Sequence, residues 1–279
     1  MNSKDLFISV VIPVFNESTR LVRCLESIKN QTHKNFEVIV VDNNSTDNTA
    51  KLATGYKFVR VIKEPKQGIV YARNTGFRAA RAGIIARIDA DTILPEDWLA
   101  RVNHYAIRRG EDKAWAITGS GEFYNTAFTK SHAVLHSFVY YYVNRLLLGY
   151  YPLWGSNMVI TKTAWDLVKN DICFDDKIHE DMDLSAHLYA HNIPIYFIYS
   201  LKTKMELKRV DGDPKKLWHY LMRWIYSLKK HNKLAGYLGY PIMAIVFIFG
   251  ITVGAFLVDI NELKTSTGLV FRKIFRSDI

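Results

Sequence analysis

The sequence predicts an α/β fold built on a parallel sheet, and three observations lead there. Short apolar runs rich in β-formers alternate with stretches of helical period over roughly the first 100 residues, the pattern of β-α-β units. Acidic and amide residues gather where those runs end, at Asp42-Asn43-Asn44 and at Asp89-Ala90-Asp91. The chain is 279 residues long and 49% hydrophobic, enough for a sizeable core.

Taken in order, Phe7 to Ile12 is a first strand that Pro13 should stop. Asn16, Glu17 and Ser18 supply helix-start chemistry, and Leu21, Val22, Cys24, Leu25 and Ile28 then keep the spacing of one buried helical face. Phe36 to Val41 is the second strand, and the polar run from Asp42 to Asp47 can cap the next helix or bind a ligand. Phe58 to Ile62 is the third strand, Ile69 to Arg81 a helix, and Ile84 to Ile88 the fourth strand. Pro95 can start the helix that continues from Trp98 to Arg108. A strand at Ala114 to Thr118, a long helix from Thr129 to Tyr151, a strand at Met158 to Ile160 and a short helix from Thr163 to Lys169 follow. Glu180 and Asp181 open a helix running to about Ala190, and Ile193 to Tyr199 is the last strand. Asp213-Pro214 is a cap with proline at the first helical position, launching a helix with an apolar face of Leu217, Trp218, Leu221, Met222, Trp224, Ile225 and Leu228.

From Tyr237 to Val258 the chain carries no charge, about the length that crosses a hydrocarbon layer. Pro241, Gly250 and Gly254 allow a kinked or re-entrant form, and the basic tail leaves the side of the C-terminus open. The helix before it carries Trp and Tyr beside Lys215, Lys216, Arg223, Lys229 and Lys230, as a helix lying in the membrane interface would. The expected organisation is an α/β domain over 1–210, an interfacial helix over 213–233, a transmembrane or re-entrant segment over 237–258 and a basic tail over 259–279.

Lys and Arg outnumber Asp and Glu by 37 to 27, a net charge of +10. That excess suits nucleic acid, a nucleotide diphosphate or an anionic membrane face. No recognisable nucleic-acid motif accompanies it, so nucleic acid is not an expected partner. Cys24 and Cys173 lack a C-x-x-C or a histidine at metal-site spacing and read as buried thiols of a reducing compartment. No apolar signal segment follows Met1 to Phe7, which places the expected chemistry in the cytoplasm.

In an extended backbone, side chains two apart point the same way, so Asp89 and Asp91 can converge on a hard cation. The alternative is a solvated acidic turn. Glu180 and Asp181 have an equally ordinary alternative as dipole complements in a first helical turn.

Six stretches in order then carry a resemblance: S-V-V-I-P-V-F-N-E at Ser9 to Glu17, V-V-D-N-N-S-T-D-N-T at Val40 to Thr49, G-I-V-Y-A-R-N-T-G at Gly68 to Gly76, I-D-A-D-T at Ile88 to Thr92, G-S-N-M at Gly155 to Met158 and E-D-M-D-L-S at Glu180 to Ser185. The chain resembles the family 2 inverting glycosyltransferases of the GT-A type from about Ile8 to Tyr199. The resemblance implies a Rossmann-like, mixed but mostly parallel sheet flanked by helices. It also implies transfer of a sugar from a nucleotide diphosphate sugar, with a UDP-sugar favoured, and the basic Pro214 to Lys233 helix and the apolar span point to a membrane-associated, lipid-linked or glycan acceptor. By the same resemblance Pro13, Phe15 and Glu17 line the nucleotide, Asp42 recognises the base with Asn43 beside it, and Arg73 lies near the diphosphate. Asp91 ligates Mg²⁺ or Mn²⁺, Asp89 helps it or contacts the sugar, and Ser156, Asn157 and Glu180 lie along the substrate. Asp181 is the implied catalytic base, with His179 a supporting candidate.

The helix after Asp213 departs from the Q-x-x-R-W of processive members, reading Tyr220-Leu221-Met222-Arg223-Trp224, so a polymer-extruding channel is not expected. Two rivals stand beside this reading. One is synthesis of a polyprenyl-phosphate sugar, as in relatives of dolichyl-phosphate mannosyltransferase. The other is a nucleotide-sugar-binding assembly protein without catalysis.

Overall fold

The computed structural model describes residues 5–124, 134, 137–206 and 214–245. The chain divides into two compact units, Met1–Leu207 and Lys208–Ile279.

In the first unit the expected alternation forms. Strand β1 (Ile8–Val14) leads to helix α1 (Ser18–Lys29), β2 (Phe36–Asp42) to α2 (Thr49–Thr54), β3 (Val59–Lys63) to α3 (Ile69–Ala79), and β4 (Ile84–Arg87) to α4 (Trp98–Arg109). Strand β5 (Ala116–Phe123) is followed by a π-helical turn (Phe138–Val143) and α5 (Asn144–Leu148). Then come β6 (Met158–Thr161), α6 (Lys162–Val168), α7 (Glu180–Ala190) and β7 (Ile195–Met205). The seven strands form one sheet in the order β3-β2-β1-β4-β6-β5-β7. Pairing is parallel from β3 to β4, whereas β6 runs antiparallel to both β4 and β5. The sheet is therefore mixed and mostly parallel.

Alternation along each strand sends successive side chains to opposite faces. Ile8, Val10, Ile12, Val38, Val40, Ile84 and Ala86 pack on one side with Leu21, Leu25 and Ile28 of α1 and Trp98, Leu99 and Val102 of α4. Val11, Ile39, Val41 and Ile85 pack on the other with Phe77 of α3, Trp165 of α6 and Leu184 and Leu188 of α7. Burial on both faces is why these strands read as continuous apolar runs.

Several expected boundaries shift for identifiable reasons. Pro13 does not end β1, because the pairing with β4 stops at Val11↔Arg87 and Pro13 has only β2 beside it, at Pro13↔Val41. The helix expected at Pro95 begins at Trp98, whose N–H bonds the Pro95 carbonyl 3.0 Å away. The long helix expected from Thr129 to Tyr151 starts outside the described residues. Its described part is a π-helical turn plus one short helix, stopped by Gly149 at φ 86°. Strands β5 and β7 run well past the expected limits because they pair with each other to Phe123↔Met205 across a bulge between Gly119 and Gly121.

In the second unit, α8 (Pro214–His231) is followed by a helix over 233–245, here α9. Asn232 breaks the two and its side chain caps α9 at Ala235 N, 3.1 Å away. α9 folds back on α8: a Cβ at Gly239 would meet Leu228 and Ile225 at 2.8 and 2.9 Å, and Lys229 Nζ donates to the Tyr240 hydroxyl at 2.8 Å. No helix among the described residues is long and apolar enough to cross a membrane. The apolar segment expected over 237–258 is described only to 245, and the 259–279 tail lies outside the described residues.

Candidate active site

Strand direction decides where chemistry gathers. β1, β2 and β4 are parallel, so their carboxyl ends, Val14, Asp42 and Arg87, open on one edge of the sheet. β6 runs the other way with Met158 opposite Arg87, which brings the segment preceding it, Gly155-Ser156-Asn157, to that same edge. A ligand in an open α/β sheet sits outside such strand ends.

At the β1–β2 end, Asn16 and Asn44 adopt left-handed backbone at φ 53° and 65°, which asparagine tolerates better than most residues. The polar run after β2 clasps the start of α1. Asn16 Oδ1 accepts from Thr46 N at 2.8 Å, Thr49 Oγ1 from Glu17 N at 2.8 Å, and Asp47 Oδ2 from Ser18 N at 3.2 Å. The Thr49 hydroxyl, bonded to Asp47, pulls that carboxyl down to about 2. Asp42 is buried and accepts from Ser45 N at 3.2 Å, while Pro13 is buried and Phe15 is exposed. Asn43, expected beside the base, is committed to the protein. Its Nδ2 donates to the carbonyls of Glu64 and Lys66 at 2.9 and 2.7 Å, and its Oδ1 accepts from Gly68 N at 2.7 Å.

At the β4 end the expected extended D-x-D is a turn, closed by Thr92 N donating to the Asp89 carbonyl at 3.1 Å. Asp89 faces inward along the sheet edge. One of its oxygens pairs with Arg87 Nη2 at 2.9 Å and the other accepts from Ser156 Oγ. Asp91 is buried close enough to Cys24, Arg20 and Tyr124 to bias their protonation. The Cys24 thiol is fully buried, and burial beside Asp91 and Asp89 pushes it up.

Asp181 stands in the first turn of α7, half-buried. Its Oδ2 accepts from Gly155 N at 3.0 Å with the Tyr140 hydroxyl 3.4 Å away, and its Oδ1 accepts from Met182 N at 2.9 Å. Glu180, its neighbour, points the other way into the protein. It pairs with Arg73 Nη1 and lies 3.3 Å from Arg87 Nη2. Burial pushes the Glu180 carboxyl up, against the pull of both guanidiniums. Arg73, expected near the diphosphate, is fully buried, and its donors go to Glu180 and Asn74. Asn157 is also internal: its Nδ2 bonds the carbonyls of Ser120 and Leu201 at 2.9 and 2.6 Å and holds the β5–β7 bulge. His179 is the residue before α7 and makes no side-chain cap to it.

Four of the predicted residues, Asp89, Ser156, Glu180 and Asp181, therefore fall into a ring. Asp89 reaches Arg87, Arg87 reaches Glu180, Glu180 adjoins Asp181, Asp181 is held by Gly155 N, and Ser156 returns to Asp89. Arg87, Gly155 and Tyr140 carry parts of this geometry and were not among the predicted site residues. Arg87 had a signal, being the lone charge in the otherwise apolar run Ile84 to Ile88, whereas nothing in the run Phe138 to Val143 separates Tyr140 from its neighbours. Arg87 in the ring and Arg73 behind it both pair with carboxylates, so a diphosphate arriving here needs another counter-charge. Asp89 and Asp91 offer the hard oxygen donors that fit Mg²⁺ or Mn²⁺.

Away from this edge, Cys173 is not the buried thiol expected. It is half-buried in the loop before α7, with Sγ 3.8 Å from His187 Nε2.

Residues 9–163 match the family described as glycosyl transferase family 2. Glycosyltransferase AglE of Haloferax volcanii is 38% identical over 108 residues, 36% of this chain and 36% of that protein. Glycosyltransferase GlyA of Streptococcus pneumoniae is 23% identical over 263 residues, 84% of this chain and 35% of that protein. The matched region spans about a third of the length of these curated relatives. Among solved structures, the mannosyltransferase PcManGT from Pyrobaculum calidifontis, in complex with GDP-Man and Mn²⁺, superposes with a TM-score of 0.65 at 15% identity, covering 97% of this chain and 82% of that one. TarS 1-349 of S. aureus, in complex with UDP-GlcNAc, gives 0.56 at 18% identity, covering 81% and 67%. These likenesses show the GT-A fold.

Proposed function

Because the chain belongs to glycosyl transferase family 2, we propose that it is an inverting glycosyltransferase that moves a sugar from a nucleotide diphosphate sugar to a membrane-associated, lipid-linked acceptor. The observation that carries this reading is the ring that ties the D-x-D turn to the first turn of α7 through Arg87, Glu180, Gly155 and Ser156. It supports the reading by tying Asp89 of the D-x-D turn, with Asp91 two residues on, to Asp181, the proposed base, through one set of hydrogen bonds and ion pairs.

Direct displacement at an anomeric carbon requires the acceptor hydroxyl to lose its proton as the new bond forms. Asp181 Oδ2 is the group for that proton. Gly155 N fixes the carboxylate from one side and Met182 N from the other, which leaves its remaining lone pairs for an acceptor. The leaving nucleoside diphosphate gathers negative charge, and a divalent cation held by Asp91 and Asp89 would supply the neutralising Lewis acid there. Asp42, at the end of β2, is the contact assigned to the base. The complexes of PcManGT with GDP-Man and of TarS with UDP-GlcNAc support a nucleotide-sugar donor, and a UDP-sugar is the one favoured here. The uncharged stretch of sequence from Tyr237 to Val258 and the basic residues of α8 support an acceptor in a membrane and a catalytic domain on its cytoplasmic face.

The test is a calorimetric screen of nucleotide sugars with and without Mn²⁺, followed by turnover of the donor that binds. Asp181→Asn is expected to keep donor affinity and lose about 100- to 10,000-fold in kcat, the usual range for a general base. Asp91→Asn is expected to lose the Mn²⁺-dependent part of donor binding. No donor bound in either condition, or Asp181→Asn turning over like the parent, overturns the reading.

A further inference from the structure

Fourteen residues apart in sequence, Cys173 and His187 meet at a cluster that takes no part in the ring described above. Cys173 lies in the loop between α6 and α7. Asp183 and His187 are one helical turn apart on α7, so both side chains project from the same face toward that loop. Asp183 is completely buried, and its Oδ2 is held by Cys173 N at 3.0 Å. Its other oxygen, Oδ1, stands 3.4 Å from His187 Nε2, and that same nitrogen stands 3.8 Å from Cys173 Sγ. The three potential ligand atoms all lie within 4.8 Å of one another.

The N···O separation exceeds the usual 2.7–3.2 Å of an N–H···O hydrogen bond, while the S···N separation is that of a weak sulfur hydrogen bond. Together they also come close to a different geometry. With Zn–S near 2.3 Å, Zn–N near 2.05 Å and Zn–O near 2.1 Å, the edges of a tetrahedral site are about 3.4 Å for N···O and about 3.6 Å for S···N. One ring nitrogen facing a carboxylate oxygen and a thiol sulfur at those edges is what a shared metal ion would require. The donor set also discriminates between metals: thiolate and imidazole suit Zn²⁺, whereas Mg²⁺ and Mn²⁺ prefer the all-oxygen pair Asp89 and Asp91.

We propose that Cys173, Asp183 and His187 form a zinc site distinct from the D-x-D turn. On binding, the Cys173 thiol releases its proton to solvent as the Zn–S bond forms. His187 stays neutral, giving the Nε2 lone pair to the metal and keeping its proton on Nδ1. Asp183 binds through Oδ1 while Oδ2 keeps its bond to Cys173 N, which fixes the carboxylate's orientation. These side chains fill three of the four tetrahedral positions and leave the fourth to a further donor. The ion would staple the loop around Cys173 to α7, the helix whose first turn carries Glu180 and Asp181.

The experiment uses the full chain. After exchange into metal-free buffer, Zn²⁺ is titrated in competition with a chromophoric chelator, and thermal unfolding is followed with Zn²⁺, Mg²⁺ or neither. The parent is expected to take about one equivalent of Zn²⁺ tightly and to melt higher with Zn²⁺ than with Mg²⁺. Cys173→Ser and His187→Gln are each expected to weaken Zn²⁺ by more than about 100-fold, beyond what loss of an outer-sphere partner costs, and Asp91→Asn is expected to retain it. Co²⁺ in place of Zn²⁺ should show a thiolate charge-transfer band that Cys173→Ser removes. If either ligand variant fails to fold, the Zn²⁺ shift and the Co²⁺ band of the parent decide the matter. No tight Zn²⁺ in the parent, no Co²⁺–thiolate band, or Zn²⁺ lost in Asp91→Asn and kept in Cys173→Ser overturns the proposal.

Discussion

Gly155 is the residue through which the two carboxylate motifs constrain each other. Its N–H holds Asp181, and a Cβ on it would lie 1.5 Å from Arg87 Nη1 and 2.6 Å from Arg87 Cζ. Arg87 is buried to 3% exposure, so its guanidinium cannot swing out to solvent. Gly155→Ala must therefore displace Arg87 from both Asp89 and Glu180. The expected cost is about 1–3 kcal/mol for overpacking, read as a lower urea midpoint at unchanged slope, together with a loss of turnover. Gly83→Ala is the control: its nearest contact would be 3.9 Å away at Glu111, and it should stay within about 0.5 kcal/mol. The sequence located the carboxylates of this site but not their counter-ions. Asp89 and Asp91 were legible because they follow a strand end, and Asp181 because it opens a helix, each in a recognisable pattern. Arg73 was matched to the diphosphate, and the structure turns it inward to Glu180, a partner 107 residues away. Asn43 was likewise read as a ligand contact, although its amide bonds lie in the loop from Glu64 to Gly68. A motif gives a residue's neighbourhood, whereas its hydrogen-bond partners depend on tertiary contacts that no local pattern encodes.

At the scale of elements, the βαβ half was readable to within a residue or two because its strands are buried on both faces and its helices keep an apolar stripe. The half from β5 to β7 was less so. The Gly119–Gly121 bulge, the antiparallel entry of β6 and the full length of β7 follow from pairing between distant strands, and the apolar runs there are short. The run from Asp42 to Asp47 has a sequence that suits either capping or ligand binding, and its hydrogen bonds give it a structural share: it ties β2 to the start of α1. Asp47 is the test of that clasp. Its carboxyl is lowered from an ordinary 3.8 to about 2, chiefly by the Thr49 hydroxyl. A depressed carboxyl stabilises the fold above its unfolded value, and that contribution is lost as pH falls through the folded value. Asp47→Ala should thus melt below the parent at every pH above about 4, and the gap should close as pH drops toward 2. A gap that is constant between pH 5 and 2 in a scanning-calorimetry series would remove the clasp from the account.

For the molecule as a whole, the proposed lipid-linked acceptor implies contact with a membrane, and the residues of the second unit argue for more than electrostatic attachment. α8 carries Lys215, Lys216, Arg223, Lys229 and Lys230, each contributing about 1 kcal/mol near an anionic surface. Trp218 and Tyr226 are exposed on it, and Leu234, Tyr237, Leu238 and Ile245 are exposed on α9. Exposed apolar side chains on a helix at the start of an uncharged stretch of sequence favour burial in acyl chains, which adds a hydrophobic contribution to the charge attraction. The two contributions respond differently to salt. At about 1 M the Debye length shrinks to about 3 Å and attraction to anionic headgroups is screened, while burial of apolar surface persists. The full chain should float with phosphatidylglycerol vesicles at low salt and remain largely bound at molar salt. Replacing Lys229 and Lys230 with Ala should slow or weaken low-salt capture and leave the salt-resistant fraction intact. Release of the parent by molar salt would limit the contact to the headgroup surface. Failure to float at low salt would instead detach the proposed lipid-linked acceptor from the reading, leaving the ring around Asp181 to act on a soluble one.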